Sequence, residues 1–350
     1  MISEFLNNPL LNLFIFFVIN FFVFFLINFI LLKKNLLIDE KAKSPHKQLV
    51  NNELVPISGG IILLINCFFF NFITFSIALP LIIGIYLIGL LADIQRFNSP
   101  LRRLFLQSLL ILIFVSINEV LIRSIRLEFF DIYLNIDFVS ILFTSFCLLI
   151  LINGSNFIDG VNLQCSGYYF VVLSVLIYLN SKGLFISNIL DVSILYSFLF
   201  CFICFNFFNK SYLGDGGSYL LSFIIGIFLI KFQSIHNISP YFIVLILWYP
   251  AFENFFSIIR RTLSKTKRAD EPDLNHFHHL LYKYLKSKFK IEYLFSFSLP
   301  GIIINLFNFI IFFIGANFIY STSILILLIF ICISVYLVCY FYLKKNIKII

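Results

Sequence analysis

The chain has 350 residues, 61% hydrophobic and 12% charged, with a formal net charge of +8. Soluble domains carry about 25% charged residues, so the composition excludes a water-soluble globular fold. An all-α, polytopic membrane helix bundle is expected instead, with a basic balance suited to anionic lipid and small phosphate compounds and no call for nucleic acid as a partner.

In chain order, "MISEFLNN" lacks a positive n-region, and the apolar run behind it is too long for a signal peptide, so no cleavable leader is expected. Runs of about 20 apolar residues mark spanning helices. Eleven are expected, at 10–32, 58–75, 78–92, 104–121, 138–153, 165–181, 185–207, 218–234, 240–258, 291–314 and 320–343. The loop after the first carries Lys43, His46, Lys47 and "VPISGG". "LLADIQRFNSPLRR", with Asp93, follows the third. Segment 122–137, "IRSIRLEFFDIYLNID", is rich in aromatic and β-branched residues and reads as a small external β-hairpin or an interfacial segment. "NGSNFIDGVNL", with Asn153, Asn156 and Asp159, follows the fifth span. "LGDGGSYLL", with Gly214, Asp215, Gly217 and Ser218, follows the seventh. Segment 259–290 follows the ninth and holds Arg261, Arg268, His276, His278 and His279. The seven Cys lie in or beside apolar runs and read as packing residues, with no disulfide and no metal–thiolate site.

The basic residues test this topology. All except Arg123, Arg126, Lys182 and Lys231 fall in the loops after odd-numbered spans or in the C-terminal tail. By the positive-inside rule the N-terminus lies outside, and the C-terminus and these loops are cytoplasmic. A single domain, 1–350, then presents one polar surface built from loops 33–57, 92–103, 153–164, 208–218 and 259–290. The longest polar stretch is too short to bury a core of its own.

That surface combines the carboxylates Asp93, Asp159 and Asp215 with Gly-rich turns, a histidine cluster and many Lys and Arg. Carboxylates and water suit Mg²⁺, which shares phosphate oxygens with its substrate. Glycine turns let backbone N–H groups approach phosphates, and Lys and Arg neutralise them. Each element also has a plain structural reading. Asp93 could be a solvated helix-end charge, "GDGG" only a turn, and the basic loops a topology signal. Zinc at the histidines has neither a Cys nor an i, i+4 His pair behind it. The joint placement on one face favours phosphate chemistry.

With these motifs in order, the chain resembles the polyprenyl-phosphate N-acetylhexosamine-1-phosphate transferases, the MraY/WecA superfamily of glycosyltransferase family 4, over residues 39–281. Asn153, Asn156, Asp159 and Gly160 match its Asn-x-x-Asn-x-x-Asp-Gly stretch. Gly214, Asp215, Gly217 and Ser218 match Gly-Asp-x-Gly-Ser. His276, His278 and His279 match the histidine motif of the WecA-like branch. "VPISGG" matches the Pro-x-x-Gly-Gly element, with His46 upstream of it.

The resemblance implies transfer of a sugar 1-phosphate, an N-acetylhexosamine phosphate in this branch, from a UDP-sugar to polyprenyl (undecaprenyl) phosphate. It implies a bacterial inner membrane, contact with membrane lipids, a homodimer as one admitted state, and Mg²⁺, with Mn²⁺ as a substitute. Asp215 and Asn156 are then the metal ligands. Asp93 orients the lipid phosphate or takes its proton. Asn153, Asn156 and Asp159 hold the nucleotide or the water shell. His46, Lys47, Gly214, Gly217, Ser218, Arg261, Arg268, His276, His278 and His279 bind substrate. The chain departs from the family at Ala92, where an aspartate is usual, at Lys43, where an Arg is usual, and at Glu253, where Asp is common. A lipid phosphate has a second pKa of about 6 and is already mostly dianionic at neutral pH, so a base at position 92 is dispensable. Two alternatives stay open. One is a catalytically silent homologue that binds polyprenyl phosphate or scaffolds glycan assembly, motivated by Ala92. The other is a lipid-linked-sugar transporter, which calls for paired charges near mid-membrane; Asp191 and Glu253 are the only candidates, and neither has an evident basic partner in the sequence.

Overall fold

A computed structural model describes residues 9–39, 54–69, 78–97, 99–184, 186, 189–264, 275–289 and 293–347. Within them the chain is a helical bundle of fourteen helices with almost no strand. In order these are α1 (Pro9–Lys34), β1 (Ile38–Asp39), β2 (Val55–Pro56), α2 (Gly59–Cys67), α3 (Ala78–Asp93), α4 (Pro100–Asn118) and α5 (Glu128–Leu134). Then follow α6 (Asp137–Ile158), α7 (Gln164–Ser181), α8 (Ile189–Phe207), α9 (Gly214–His236) and α10 (Pro240–Ile246). The last four are α11 (Trp248–Ser264), α12 (Phe277–Phe289), α13 (Tyr293–Ala316) and α14 (Thr322–Ile347).

Every expected span coincides with a helix when α10 and α11 are taken together. Seven helices are long and apolar enough to cross a membrane: α1, α4, α6, α8, α9, most of α13, and α14; the α10–α11 pair makes eight. Helices α2, α3 and α7 fill the other three expected positions without meeting that measure, and residues 70–77 beyond α2 lie outside the described part. The α10–α11 pair bends by 71°. Pro250 sits in the first turn of α11, where it has no N–H to give Ile246 and its ring crowds that carbonyl.

Helix α9 is the central post. Its sequence "SYLLSFIIGIFLI" is apolar on all sides and buried throughout, as a helix surrounded by other helices must be. It packs against α2, α3 and α6, while α1 packs on α8, α7 on α13, and α11 on α6. Helix α1 shows the opposite pattern. Phe14, Phe22, Phe25 and Phe29 are exposed to the lipid side, while Asn20, Phe24 and Asn28 face inward. Asn20 Oδ1 accepts from Asn66 Nδ2 at 2.8 Å, satisfying two amides that hydrocarbon would not.

The expected β-hairpin at 122–137 is absent; α5 occupies its middle. Glu128 and Asp131 lie in the first turn of α5, where the helix dipole favours negative charge. Asp131 also accepts from Ser124 Oγ at 2.6 Å and Ile125 N at 2.8 Å, folding the preceding chain back. The aromatic residues pair at i, i+4, with Phe129 and Tyr133 rings 5.4 Å apart. The strand pairing lies elsewhere: Ile38 opposes Pro56 and Asp39 opposes Val55. On that face Pro56 O accepts from Tyr212 N at 3.0 Å, which ties the first loop to the start of α9. At the opposite end Arg126 gathers the loops, donating to Tyr320 O, Thr322 Oγ1 and Asn237 O.

Candidate active site

The site is built on the first turn of α9. Gly214 has φ +77, a left-handed conformation, and a Cβ there would stand 2.7 Å from Asp93 Oδ2, so only glycine fits. Asp93, the last residue of α3, accepts from Asp215 N at 2.9 Å and from Gly216 N at 3.2 Å. It caps orphan N–H groups at a helix N-terminus with a negative charge. A Cβ on Gly60 would meet Gly217 N at 2.7 Å, and one on Gly89 would meet Gly216 at 2.4 Å. The glycines thus let the backbones of α2 and α3 touch that of α9.

The side chain of Asp215 leaves this turn toward α4 and α6. Oδ2 pairs with Arg103 Nη1 at 3.0 Å, and both side chains stay partly accessible. Oδ1 accepts from Asn156 Nδ2 at 2.8 Å. Asn156 also donates to Ser218 Oγ at 3.3 Å, and Ser218 Oγ donates to Asp215 O at 3.1 Å. One turn further along α4, Gln107 accepts from Asn153 Nδ2 at 3.1 Å. Asn153 and Asn156 are three apart, and so face one side of a helix. The polar stretches expected as loops are therefore largely helical turns: α6 runs on to Ile158, and α9 begins at Gly214.

The second half of "NGSNFIDGVNL" serves the turn into α7. Asn162 Nδ2 donates to Asn206 O at 2.8 Å, and Leu163 N donates to Asn206 Oδ1 at 2.8 Å. Asp159 ends α6. A Cβ on the next residue, Gly160, would lie 2.3 Å from His278 Nε2 and 2.8 Å from His279 Nε2. Two distant motifs, the Asn-Asp-Gly stretch and the histidines, are thereby in contact. His276 lies beside them, its ring 5.7 Å from that of His278 and 5.4 Å from Phe157. The Arg261 guanidinium stands 5.4 Å from the Phe157 ring. His46, Lys47 and Arg268 lie outside the described residues.

Among the described residues no three of His, Cys, Asp and Glu gather in a way suited to a metal ion. One carboxylate and an amide remain at Asp215 and Asn156. Mg²⁺ is commonly held by one or two carboxylates, with water and phosphate oxygens completing the shell; here both Asp215 oxygens are engaged, by Arg103 and by Asn156 Nδ2, so an ion at this pair would require the Asn156 amide turned oxygen inward and Arg103 drawn back.

Sequence reasoning missed Arg103, which counted only as a topology charge; its spacing of four from Gln107 is the signal that both share a helix face. It also left both intramembrane acids without partners. In the structure Glu253 Oε1 lies 2.9 Å from His276 Nδ1. Asp191 interacts electrostatically with Lys231, at the end of the bundle away from Asp215.

Residues 75–233 match the family model described as glycosyl transferase family 4. That segment contains Asp93, Arg103, Asn153, Asn156, Asp159 and Asp215 and stops short of Glu253 and the histidines. The chain is also similar to the "Probable undecaprenyl-phosphate N-acetylglucosaminyl 1-phosphate transferase" of Bacillus subtilis (strain 168), at 30% identity over 135 residues. The match spans 37% of this chain and 37% of the relative.

Proposed function

We propose that the chain, whose segment 75–233 matches glycosyl transferase family 4, moves a sugar 1-phosphate from a UDP-sugar to a polyprenyl phosphate. An oxygen of the lipid phosphate attacks the sugar-bearing phosphorus, and the P–O bond to the other phosphorus breaks. Polyprenyl-diphosphate-sugar forms, and UMP leaves with the bond's electron pair. The acceptor and an N-acetylhexosamine as the sugar follow the activity named for the Bacillus subtilis relative. The single observation that carries the reading is Asp215 at the N-terminus of α9, flanked by Arg103 at 3.0 Å and Asn156 at 2.8 Å.

Each part has a task. Arg103 neutralises charge that gathers on the diphosphate as the bond breaks. Mg²⁺, or Mn²⁺ in its place, would be held by Asp215 and Asn156 and would supply further charge neutralisation. Asp93 sets the turn and so the direction of Asp215. Arg261 adds positive charge beside the histidines, on the cytoplasmic side of the bacterial inner membrane. Positioning and electrostatics supply most of the catalysis in such transfers, so a general base at position 92 is not needed.

The test is UMP release by the purified chain with UDP-N-acetylglucosamine, undecaprenyl phosphate and Mg²⁺, and its loss on chelation. Ala92 favours one competing reading, a silent lipid-phosphate-binding homologue. For an active enzyme, Ala92→Asp changes the rate by less than about tenfold, or 1.4 kcal/mol. No release from the natural chain, with release restored by Ala92→Asp, decides for the silent homologue.

A further inference from the structure

Helices α11, α12 and α14 meet around a carboxyl group that the proposed transfer does not use. Glu253 is fully buried, and its neighbours His276 and Tyr336 are buried with it. His276 Nδ1 lies 2.9 Å from Glu253 Oε1, and Tyr336 Oη donates to Oε2 at 2.6 Å. A carboxyl group this deep is unfavourable unless both oxygens are engaged, and both are. Helices α11 and α14 and the residue just before α12 converge on it, the partners lying 23 and 83 positions from Glu253. Arg260 closes the outer side, donating to Tyr340 Oη at 3.0 Å and to Asn275 O.

The imidazole is constrained from the other directions too. Ser257 Oγ is 3.3 Å from the same Nδ1. The rings of His278 and His279 lie 5.7 and 6.1 Å away, and Phe157 lies 5.4 Å away. An ionised carboxylate can only accept, so the proton between Glu253 and His276 belongs to Nδ1. In a neutral ring that leaves Nε2 as the bare nitrogen, and the hydrogen bond at one nitrogen fixes the role of the other.

We propose that Glu253, backed by Tyr336, is a positioning residue that holds His276 in the Nδ1–H form, with Nε2 left to accept a hydrogen bond from a hydroxyl of the bound UDP-sugar. This rests on the transferase reading above. A polar contact serving packing alone would be met by any partner that fills the space. A tautomer lock requires an obligate acceptor, and Glu253→Gln separates the two. Glutamine keeps the shape, but its amide nitrogen can donate to Nδ1 and reverse the tautomer.

The experiment uses the full-length protein in nanodiscs, with ¹⁵N-histidine NMR in mildly alkaline buffer beside UMP-release kinetics. The chain has five His, and His276→Gln assigns the resonance. Wild type should show Nδ1–H at His276. Glu253→Gln should populate Nε2–H and lower kcat about tenfold to a hundredfold, the scale for partners that orient an active histidine, with KM for the UDP-sugar nearly unchanged. Glu253→Asp should keep Nδ1–H and recover most of kcat. Should Glu253→Gln not accumulate as folded protein, Tyr336→Phe removes one donor to the carboxylate and should give smaller changes of the same sign. Wild-type kcat and an unchanged tautomer in Glu253→Gln would overturn the inference while leaving the transferase intact. Nitrogen shifts that follow residue 253 in a chain releasing no UMP would support the lock and remove the transferase reading.

Discussion

Replacing Asp93 with Asn tests whether this carboxylate holds the first turn of α9. It accepts two backbone N–H groups, at 2.9 and 3.2 Å, at a helix N-terminus. Hydrogen bonds to a charged group contribute about 1.5–3 kcal/mol each, a neutral one about 1, and a negative charge at a helix start about 0.3–1. Asn keeps one acceptor, turns an NH₂ toward the second N–H and removes the charge, for a net loss of about 3 kcal/mol. With an unfolding entropy of about 2 cal/mol/K per residue, a chain of 350 residues should lose about 4 °C in Tm. Thermal unfolding in detergent, followed by the fluorescence of the single Trp, measures it. UMP release on the same samples should fall as well, because the two N–H groups involved belong to Asp215 and its neighbour Gly216. An unchanged midpoint together with lost transfer would refute the capping argument and leave Asp93 a purely chemical role.

Asp215→Asn keeps the shape of the turn and removes the charge facing Arg103, so UMP release should fall by on the order of 10³-fold, the scale of one strong transition-state contact; near-normal turnover of the folded variant withdraws the proposed metal role. Arg103→Gln should lower kcat more than it changes KM, and Arg103→Lys should recover only part of the loss because a point charge lacks the planar fork; equal activity of both variants argues against phosphate contact by Arg103. Ser264→Cys, in a background with the native cysteines silent, should react only with reagents that reach the cytoplasm; labelling of intact cells by an impermeant maleimide reverses the orientation.

The helix positions were legible because bilayer thickness selects long apolar runs, and breaks at Gly, Pro and charge mark their ends. Two of the motifs meet in the structure, where Asn156, Asp215 and Ser218 are bonded to one another. Their local form was not legible. Polar residues read as loops where they are helix ends, because a first or last turn is also where polar groups gather. Segment 122–137 showed aromatic and β-branched residues, but the pairing of Phe129 with Tyr133 is a helical spacing. Arg103 was hidden among topology charges, and the contact of Glu253 with His276 and Tyr336 joins residues 23 and 83 positions apart in the chain, which no local pattern encodes.

The glycine contacts of α2 and α3 with the start of α9 have an entropic consequence. Packing through leucines would freeze rotamers, at about 0.5–1 kcal/mol for each side chain fixed. Glycine has no rotamer to freeze. Its own penalty, about 0.5–1 kcal/mol against alanine, arises when a segment becomes helical. In a bilayer that step precedes helix association. Where glycine meets glycine, the turn bearing Asp215 is therefore seated without fixing a side-chain rotamer.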